Sequence, residues 1–288
     1  MASLVRQSYG KHQVRVSKVK RTTPQDGNAG QHEFFQASVN IELEGSFEAA
    51  YTEGDNQSVI ATDTCRNTVY VLAKDDPIVS LESFGVTIAN HFLERYAHVE
   101  RVTVTLEQQL WHRLLDSPHG FIGNDRETPT AKFVGVRNRD GSTSLSISAG
   151  ITDCMLAKTT KSGFSNFHRD EFRTLPDTDD RILGTVLSAA WNYSIGDAGQ
   201  DFNAHRSIIR DALLTTFLNH YSRSVQETLF RMASSALERC REIESITLTM
   251  PNKHHIRFNL EPFGRANDNE VFVVTDEPFG FITATVAR

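Results

Sequence analysis

The sequence predicts an α+β fold in which antiparallel sheet carries pairs of helices on one face. Three observations point to it. Apolar and polar residues alternate in several long runs, the mark of half-buried strands. Between those runs the apolar spacing changes to three and four, the mark of amphipathic helices. The order strand-strand-helix-helix-strand-strand is met twice, which divides the 288 residues into units at 1–138 and 139–288.

Each element rests on its own residues. A first strand covers about 12–20, with Val14 and Val16 on one face. A polar turn at Gln25-Asp26-Gly27-Asn28 leads to a longer strand in which Phe35, Ala37, Val39, Ile41 and Leu43 alternate, so the pair reads as a hairpin. Thr62 or Thr64 can cap a helix that runs to Lys74, where Asp75-Asp76-Pro77 stops it. Ser80 can cap a second, with Leu81, Phe84, Ile88, Phe92 and Tyr96 on one stripe. Val102, Val104 and Leu106 mark the next strand and Phe133 to Val136 another, with a linker-like stretch from His119 to Thr130 between them.

In the second unit Leu145 and Ile147 mark a strand within 143–156, and Arg181-Ile182-Leu183 reads as a short helical segment. Residues 184–193 form a strand leading to Trp191. Helix 205–219 carries Ile209, Leu213 and Phe217, and helix 223–239 carries Val225, Leu229, Met232, Ala236 and Leu237. Strands follow with Ile246, Leu248 and Met250, then Ile256, Phe258 and Leu260, then a final pair near 270–275 and 281–287. A sheet covered by helices on one face only needs another partner for its second face, so an oligomer is expected.

Bulk properties narrow the function. Hydrophobic residues make up 39% and charged residues 23%, ordinary for a globular protein. The net charge of −6 argues against nucleic acid as the main partner, because phosphate binding needs a basic surface. Cys65, Cys154 and Cys240 are odd in number and widely spaced, neither a disulfide framework nor a zinc finger. The start lacks a signal-peptide run, no stretch has membrane-spanning length, and Thr285-Val286-Ala287-Arg288 is not a peroxisomal address, so a cytoplasmic location is expected. The dinucleotide fingerprint, the phosphate loop, His-Glu-x-x-His and Gly-x-Ser-x-Gly are all missing. An enzyme built this way would draw reactive electrons from its substrate.

Five short segments combine unusual residue types: Tyr9-Gly10-Lys11, Ala61-Thr62-Asp63-Thr64 followed by Arg66 to Tyr70, Thr178-Asp179-Asp180-Arg181 continuing into Ile182-Leu183, Ser224-Val225-Gln226, and Pro251-Asn252-Lys253-His254-His255. In this order and at nearly this spacing they resemble the urate oxidase (uricase) family over almost the whole chain. The resemblance implies the tunnelling fold, with two tandem units per chain. It implies a barrel-like homotetramer whose active sites lie where two subunits meet. It also implies oxidation of urate by O2, the co-substrate, to 5-hydroxyisourate and hydrogen peroxide without metal or organic cofactor.

Urate is flat, anionic and edged with alternating donors and acceptors. The resemblance assigns Arg181 and Gln226 as a pincer on the purine, Phe164 as the platform beneath it and the Val225 backbone as a further contact. An arginine fork can give two parallel charge-assisted bonds, and a carboxamide can both donate and accept. Lys11, Thr62 and His254 resemble the family's catalytic proton relay. A lysine in this role works best desolvated, and a threonine passes protons rather than holding them. Asn252 resembles the residue that holds dioxygen and later water. Asp63 is assigned to orienting the neighbouring backbone or the substrate edge.

Each residue also has a plainer reading. Lys11 can be a solvated strand lysine, Thr62 a helix cap, Arg181 a surface partner of Asp177 or Asp180, Phe164 a core residue and Gln226 a solvated first-turn residue. His254 and His255 can suggest a metal pair, but neighbours on a strand point to opposite faces. Pro176 and the stretch 194–201 depart from the family pattern. Two other functions stay in view. A non-catalytic purine-binding protein of the same fold would not need Lys11, Thr62 and His254 together. A zinc-dependent pterin-forming cyclohydrolase would need a compact Cys/His cluster.

Overall fold

The computed structural model describes residues 2–22, 30–194 and 200–288. The turn expected at Gln25-Asp26-Gly27-Asn28 lies outside them, as do residues 195–199 of the 194–201 stretch. The chain divides into two compact units, Met1–Gly150 with Asn192–Asn203, and Ile151–Trp191 with Ala204–Arg288.

The first unit opens on an antiparallel hairpin, β1 (Tyr9–Arg21) and β2 (His32–Gly45), in register from Tyr9 opposite Leu43 to Arg21 opposite His32. The alternation read from the sequence holds: Val14 and Val16, then Ala37, Val39, Ile41 and Leu43, are buried. A bulge interrupts the register between Lys11 and Val14, where Gln13 takes a positive φ of 58° and its amide donates to Asn40 Oδ1 at 2.7 Å. A short helix α1 (Glu48–Thr52) precedes α2 (Thr62–Asp75) and α3 (Leu81–Arg95). The helices are followed by β3 (Val99–Gln108), a small hairpin of β4 (Leu110–Arg113) and β5 (Phe121–Asn124), and β6 (Thr128–Arg137). Strands pair in the order β1-β2-β3-β6, with β4-β5 separate, while α3 packs on β3 and β6 and α2 on β1.

The helix starts show which caps are used. Ser80 accepts from the Ser83 amide while the Ser83 hydroxyl accepts from the Ser80 amide, a reciprocal capping box at the head of α3. The expected threonine cap of α2 is corrected: Ala61 is its N-cap, no side chain caps it, and Thr62 is the first helical residue. At the other end, Lys18 Nζ donates to the backbone carbonyls of Lys74 and Asp76.

β7 (Thr143–Lys158) and β8 (Leu183–Tyr193) run from residues of one unit into residues of the other. The second unit continues with α4 (Phe202–Asn219), α5 (Val225–Arg239), β9 (Ile243–Thr249), β10 (Asn252–Arg257), β11 (Phe272–Gly280) and β12 (Thr283–Ala287). Here β10 pairs antiparallel with both β8 and β11, β9 pairs with β8 and antiparallel with β12, and α5 packs on β9 and β12. On α5, Val225, Leu229, Met232, Ala236 and Leu237 are buried, the stripe read from the sequence. Cys65, Cys154 and Cys240 are buried and in no disulfide, and burial pushes the thiols of Cys65 and Cys240 up to about 11. Among the described residues no helix is long and apolar enough to cross a membrane.

Two further expectations are corrected. Arg181 and Ile182 are not helical, and Leu183 begins β8; three residues are too few for a period to separate helix from strand. The stretch His119 to Thr130 is no linker, since it contains β5 and the first residues of β6.

Gly85 fixes the distance between α3 and the sheet. A Cβ there would lie 2.0 Å from Cε2 of Phe133, a fully buried ring on β6. Gly85→Ala is therefore expected to destabilise the protein by about 1–3 kcal/mol through overpacking, read as a lower denaturant midpoint with unchanged m-value.

Candidate active site

The segment between β7 and β8 is a long excursion, and backbone hydrogen bonds give it shape. Phe164 and Thr178 exchange both backbone bonds, at 2.8 and 3.0 Å. Gly163 donates to the Ser222 carbonyl at 2.8 Å, Ser222 donates to the Lys161 carbonyl at 2.9 Å, and Arg181 donates to the Ser162 carbonyl at 2.8 Å. These bonds hold Phe164, Arg181 and the entry to α5 together, although they are far apart in sequence. Gly163 is required at the crossing, since a Cβ would come within 2.3 Å of Tyr221 Oη and 2.9 Å of the Thr178 carbonyl. Tyr221 Oη itself donates to the Asp179 carbonyl at 2.6 Å. Below the crossing, the mostly buried Lys158 ammonium donates to the carbonyls of Phe217 and His220 at 3.1 and 2.9 Å, which closes the C-terminal end of α4. Burial pushes its pKa down.

Arg181 stands out electrostatically. Its buried Nε has no hydrogen-bond partner, and its guanidinium carbon lies 5.4 Å from the centroid of the Phe164 ring. Burial pulls its pKa down, against a small opposing effect of Tyr221. The plainer reading, a surface pair with Asp177 or Asp180, is corrected. Asp177 pairs with Arg169 and Arg173, and Asp180 accepts from Thr160 Oγ1 and Asn269 Nδ2. Behind Phe164, Phe167 stacks in parallel at 4.6 Å and 9°, with the Arg173 guanidinium 4.6 Å from the Phe167 centroid.

A cavity of about 520 Å³ opens here, and Phe164, Thr178, Arg181, Asn252 and His254 are among its lining residues. Asn252 and His254 come from the start of β10, where a register shift against β11 separates them. Asn252 Nδ2 lies 3.5 Å from His254 Nδ1, the outer limit of a hydrogen bond. Val225 and Gln226 form the first turn of α5, beyond the Ser224 cap that accepts from the Glu227 amide. Val225 is buried and Gln226 exposed. Neither lines the cavity, but Ser222, three residues before Val225, is tied to the Phe164 segment.

Lys11, Thr62 and Asp63 belong to the first unit. The Ile60 amide donates to Tyr9 Oη at 2.8 Å, so the tyrosine two residues before Lys11 grips the chain two residues before Thr62. Tyr9 also packs edge-on against Phe47 at 4.8 Å. Gly10 allows β1 and β2 to approach, since a Cβ would sit 1.8 Å from the Ile41 carbonyl oxygen. Lys11 is half-buried, and its charge acts on Cys65 in the first turn of α2, the turn that carries the exposed Thr62 and Asp63. Asp63 pairs with Arg66 at 2.6 Å and accepts from Asn67 at 2.8 Å.

The structure thus gathers Phe164, Arg181, Asn252 and His254 round one cavity of the second unit. It places Thr62 and Asp63 at the start of α2 in the first unit, and Lys11 on β1, against which α2 packs. Among the described residues no three His, Cys, Asp or Glu side chains stand together as metal ligands would. Sequence reasoning missed Gly163, Phe167, Ser222 and Tyr221. Tyr9 was inside a recognised segment but carried no role.

A family model described as Uricase matches residues 7–134 and 147–283, ranges that include every residue named above as a site candidate. The chain is 40% identical over 280 residues to a uricase of Arthrobacter globiformis, covering 97% of this chain and 88% of that protein. It is 37% identical over 294 residues to a uricase of Oryctolagus cuniculus, covering 99% and 94%. A crystal structure of uricase from Arthrobacter globiformis matches with a TM-score of 0.93 at 38% identity, over 100% of this chain and 96% of that one.

The Tyr9 anchor has a pH signature. Burial raises its phenol from 10.0 to about 12, against the Ile60 amide bond, which favours the phenolate. Between those values the unfolded chain releases the proton and the folded chain keeps it, so the phenol's contribution falls as pH rises through that window. The stability of wild type minus that of Tyr9→Phe should be flat below pH 10 and decline towards pH 12 in denaturation series.

Proposed function

The chain belongs to the uricase family, the urate oxidases, and from that premise we propose a cofactor-independent route in which O2 oxidises urate and the chain's own side chains bind the purine and move its protons. Urate, O2 and water become 5-hydroxyisourate and hydrogen peroxide, which balances without another reactant. One observation carries the reading: Arg181 keeps a buried, unpartnered N–H beside the Phe164 ring while the neighbouring carboxylates are engaged elsewhere. A partly buried guanidinium whose Nε–H is left this way is costly unless an anion completes it. A planar anion stacked on Phe164 would do so with two charge-assisted bonds.

Gln226 grips the opposite edge through its carboxamide. The Val225 N–H, in the first turn of α5, has no acceptor within the helix and is favourably placed for negative charge. Lys11 draws a proton through the Thr62 hydroxyl, and the urate left behind is electron-rich enough to give an electron to O2. Asn252 holds O2 and then water against the ring. His254 is the third relay member and moves the proton that water gives up as peroxide leaves. Asp63, held by Arg66 and Asn67, orients the turn that presents Thr62.

The reading also includes the assembly. Four subunits form the tunnel, and the Lys11–Thr62–Asp63 group of one subunit completes the Arg181 cavity of another. Its support is the exposure of Thr62 and Asp63 in the isolated chain, with the exposed apolar residues Val273, Val274, Phe279 and Phe281 at and beyond β11. No metal or organic cofactor enters any step.

The decisive measurement follows urate absorbance and oxygen uptake together with a strong chelator present. Matched consumption is expected; tight urate binding without oxygen uptake would instead make the protein a non-catalytic purine binder. Lys11→Met and Thr62→Ala should lower kcat by about 10²–10⁴-fold while urate binding changes little, as expected for proton-transfer groups. Arg181→Lys should mainly raise KM, because an ammonium cannot reproduce the fork.

A further inference from the structure

Ser222 is a junction. Its backbone bonds to both Lys161 and Gly163 and so carries the segment that ends in Phe164. Its fully buried side chain faces α5, where it shares a 2.6 Å hydrogen bond with the hydroxyl of Thr228, also fully buried. Thr228 lies two residues after Gln226, on the first turns of α5.

Thr228 is itself fixed from three directions. Its Oγ1 lies 3.0 Å from the Ser224 carbonyl and 3.1 Å from His220 Nε2, besides the Ser222 bond. His220 is held in turn, its Nδ1 2.7 Å from the Thr216 carbonyl at the end of α4. The imidazole, the Ser222 hydroxyl and the Ser224 carbonyl thus surround one oxygen that has a single proton to give, so the Thr228 side chain is held between them. A buried hydroxyl with this many partners specifies geometry more than it adds stability.

We propose that Thr228 is a positioning residue for purine recognition: its bond to Ser222 sets the distance between the Phe164 platform and the Gln226 carboxamide. This rests on the urate reading above and deepens it. Platform and carboxamide belong to different segments; the Ser222 hydroxyl also donates to the Ser224 carbonyl of the α5 cap at 3.1 Å, and the Thr228 bond carries that tie into the helix itself. A shift of a few tenths of an ångström at this bond moves one half of the grip relative to the other. It does not touch the reacting atoms.

The test uses Thr228→Val, which keeps shape and removes the hydroxyl, Thr228→Ser, which keeps the hydroxyl, and Ser222→Ala, which removes the same bond from its other end together with the bond to the Ser224 carbonyl. Urate dissociation constants are measured anaerobically, well below each variant's unfolding temperature, and KM and kcat in air. The expected result is about tenfold weaker urate binding and higher KM for Thr228→Val and Ser222→Ala, a smaller change in kcat, and recovery in Thr228→Ser, since 1.4 kcal/mol of lost alignment corresponds to tenfold. Folded Thr228→Val and Ser222→Ala with wild-type urate affinity and only a lowered melting temperature would overturn the proposal, leaving the bond purely structural. If Thr228→Val does not fold, Ser222→Ala and Thr228→Ser decide alone. Failure of the wild type to bind urate would overturn the urate reading itself, and this inference with it.

Discussion

A charge held partly out of water and denied its nearest counter-ions is the constraint on which this structure turns. Arg181 sits at the end of a segment holding Asp177 and Asp180, either of which could neutralise it at little cost. The fold prevents that. Asp177 is claimed by two arginines, Asp180 by a threonine and an asparagine, and the Asp179 carbonyl by Tyr221. The backbone amide of Arg181 is pinned to Ser162. The guanidinium has therefore lost part of its hydration while its buried Nε has gained no partner, a cost that an anion bound there would remove.

The same logic of distributed anchoring shapes the first unit. Tyr9 does not touch chemistry, yet its phenol fixes the chain leading into α2. Gly10 brings β1 and β2 into close backbone contact, and the bulge after Lys11 turns the strand locally. Three consecutive residues thus serve three different needs: a tether, a clearance and the amine proposed above as the start of the relay. Motifs of this kind are compact because geometry, not chemistry alone, demands each position.

How much of this could be read beforehand depends on the range of the interaction. Ser80 announced α3 because a cap acts within three residues, and the alternation of Ala37, Val39, Ile41 and Leu43 announced β2 because pleating is local. Thr62 misled because a threonine at a helix start is usually the cap, whereas Ala61 holds that position and leaves the hydroxyl free. β5 went unseen because four residues give no usable period, and Arg181 to Leu183 was misread for the same reason. The resemblance named Phe164, Arg181 and Asn252, which the fold brings round one cavity. The ties among Lys161, Gly163 and Ser222 span about sixty residues and leave no trace in local pattern.

The buried thiols acquire a different meaning beside the reaction proposed above, which would liberate peroxide. Oxidation proceeds through the thiolate, and its rate follows both ionisation and access. Cys65, one helical turn from Thr62, and Cys240 at the end of α5 are closed to solvent and hold their protons until about pH 11. Under the proposed reaction, thiols carried that way would resist the peroxide without sulfur having to be excluded from the sequence.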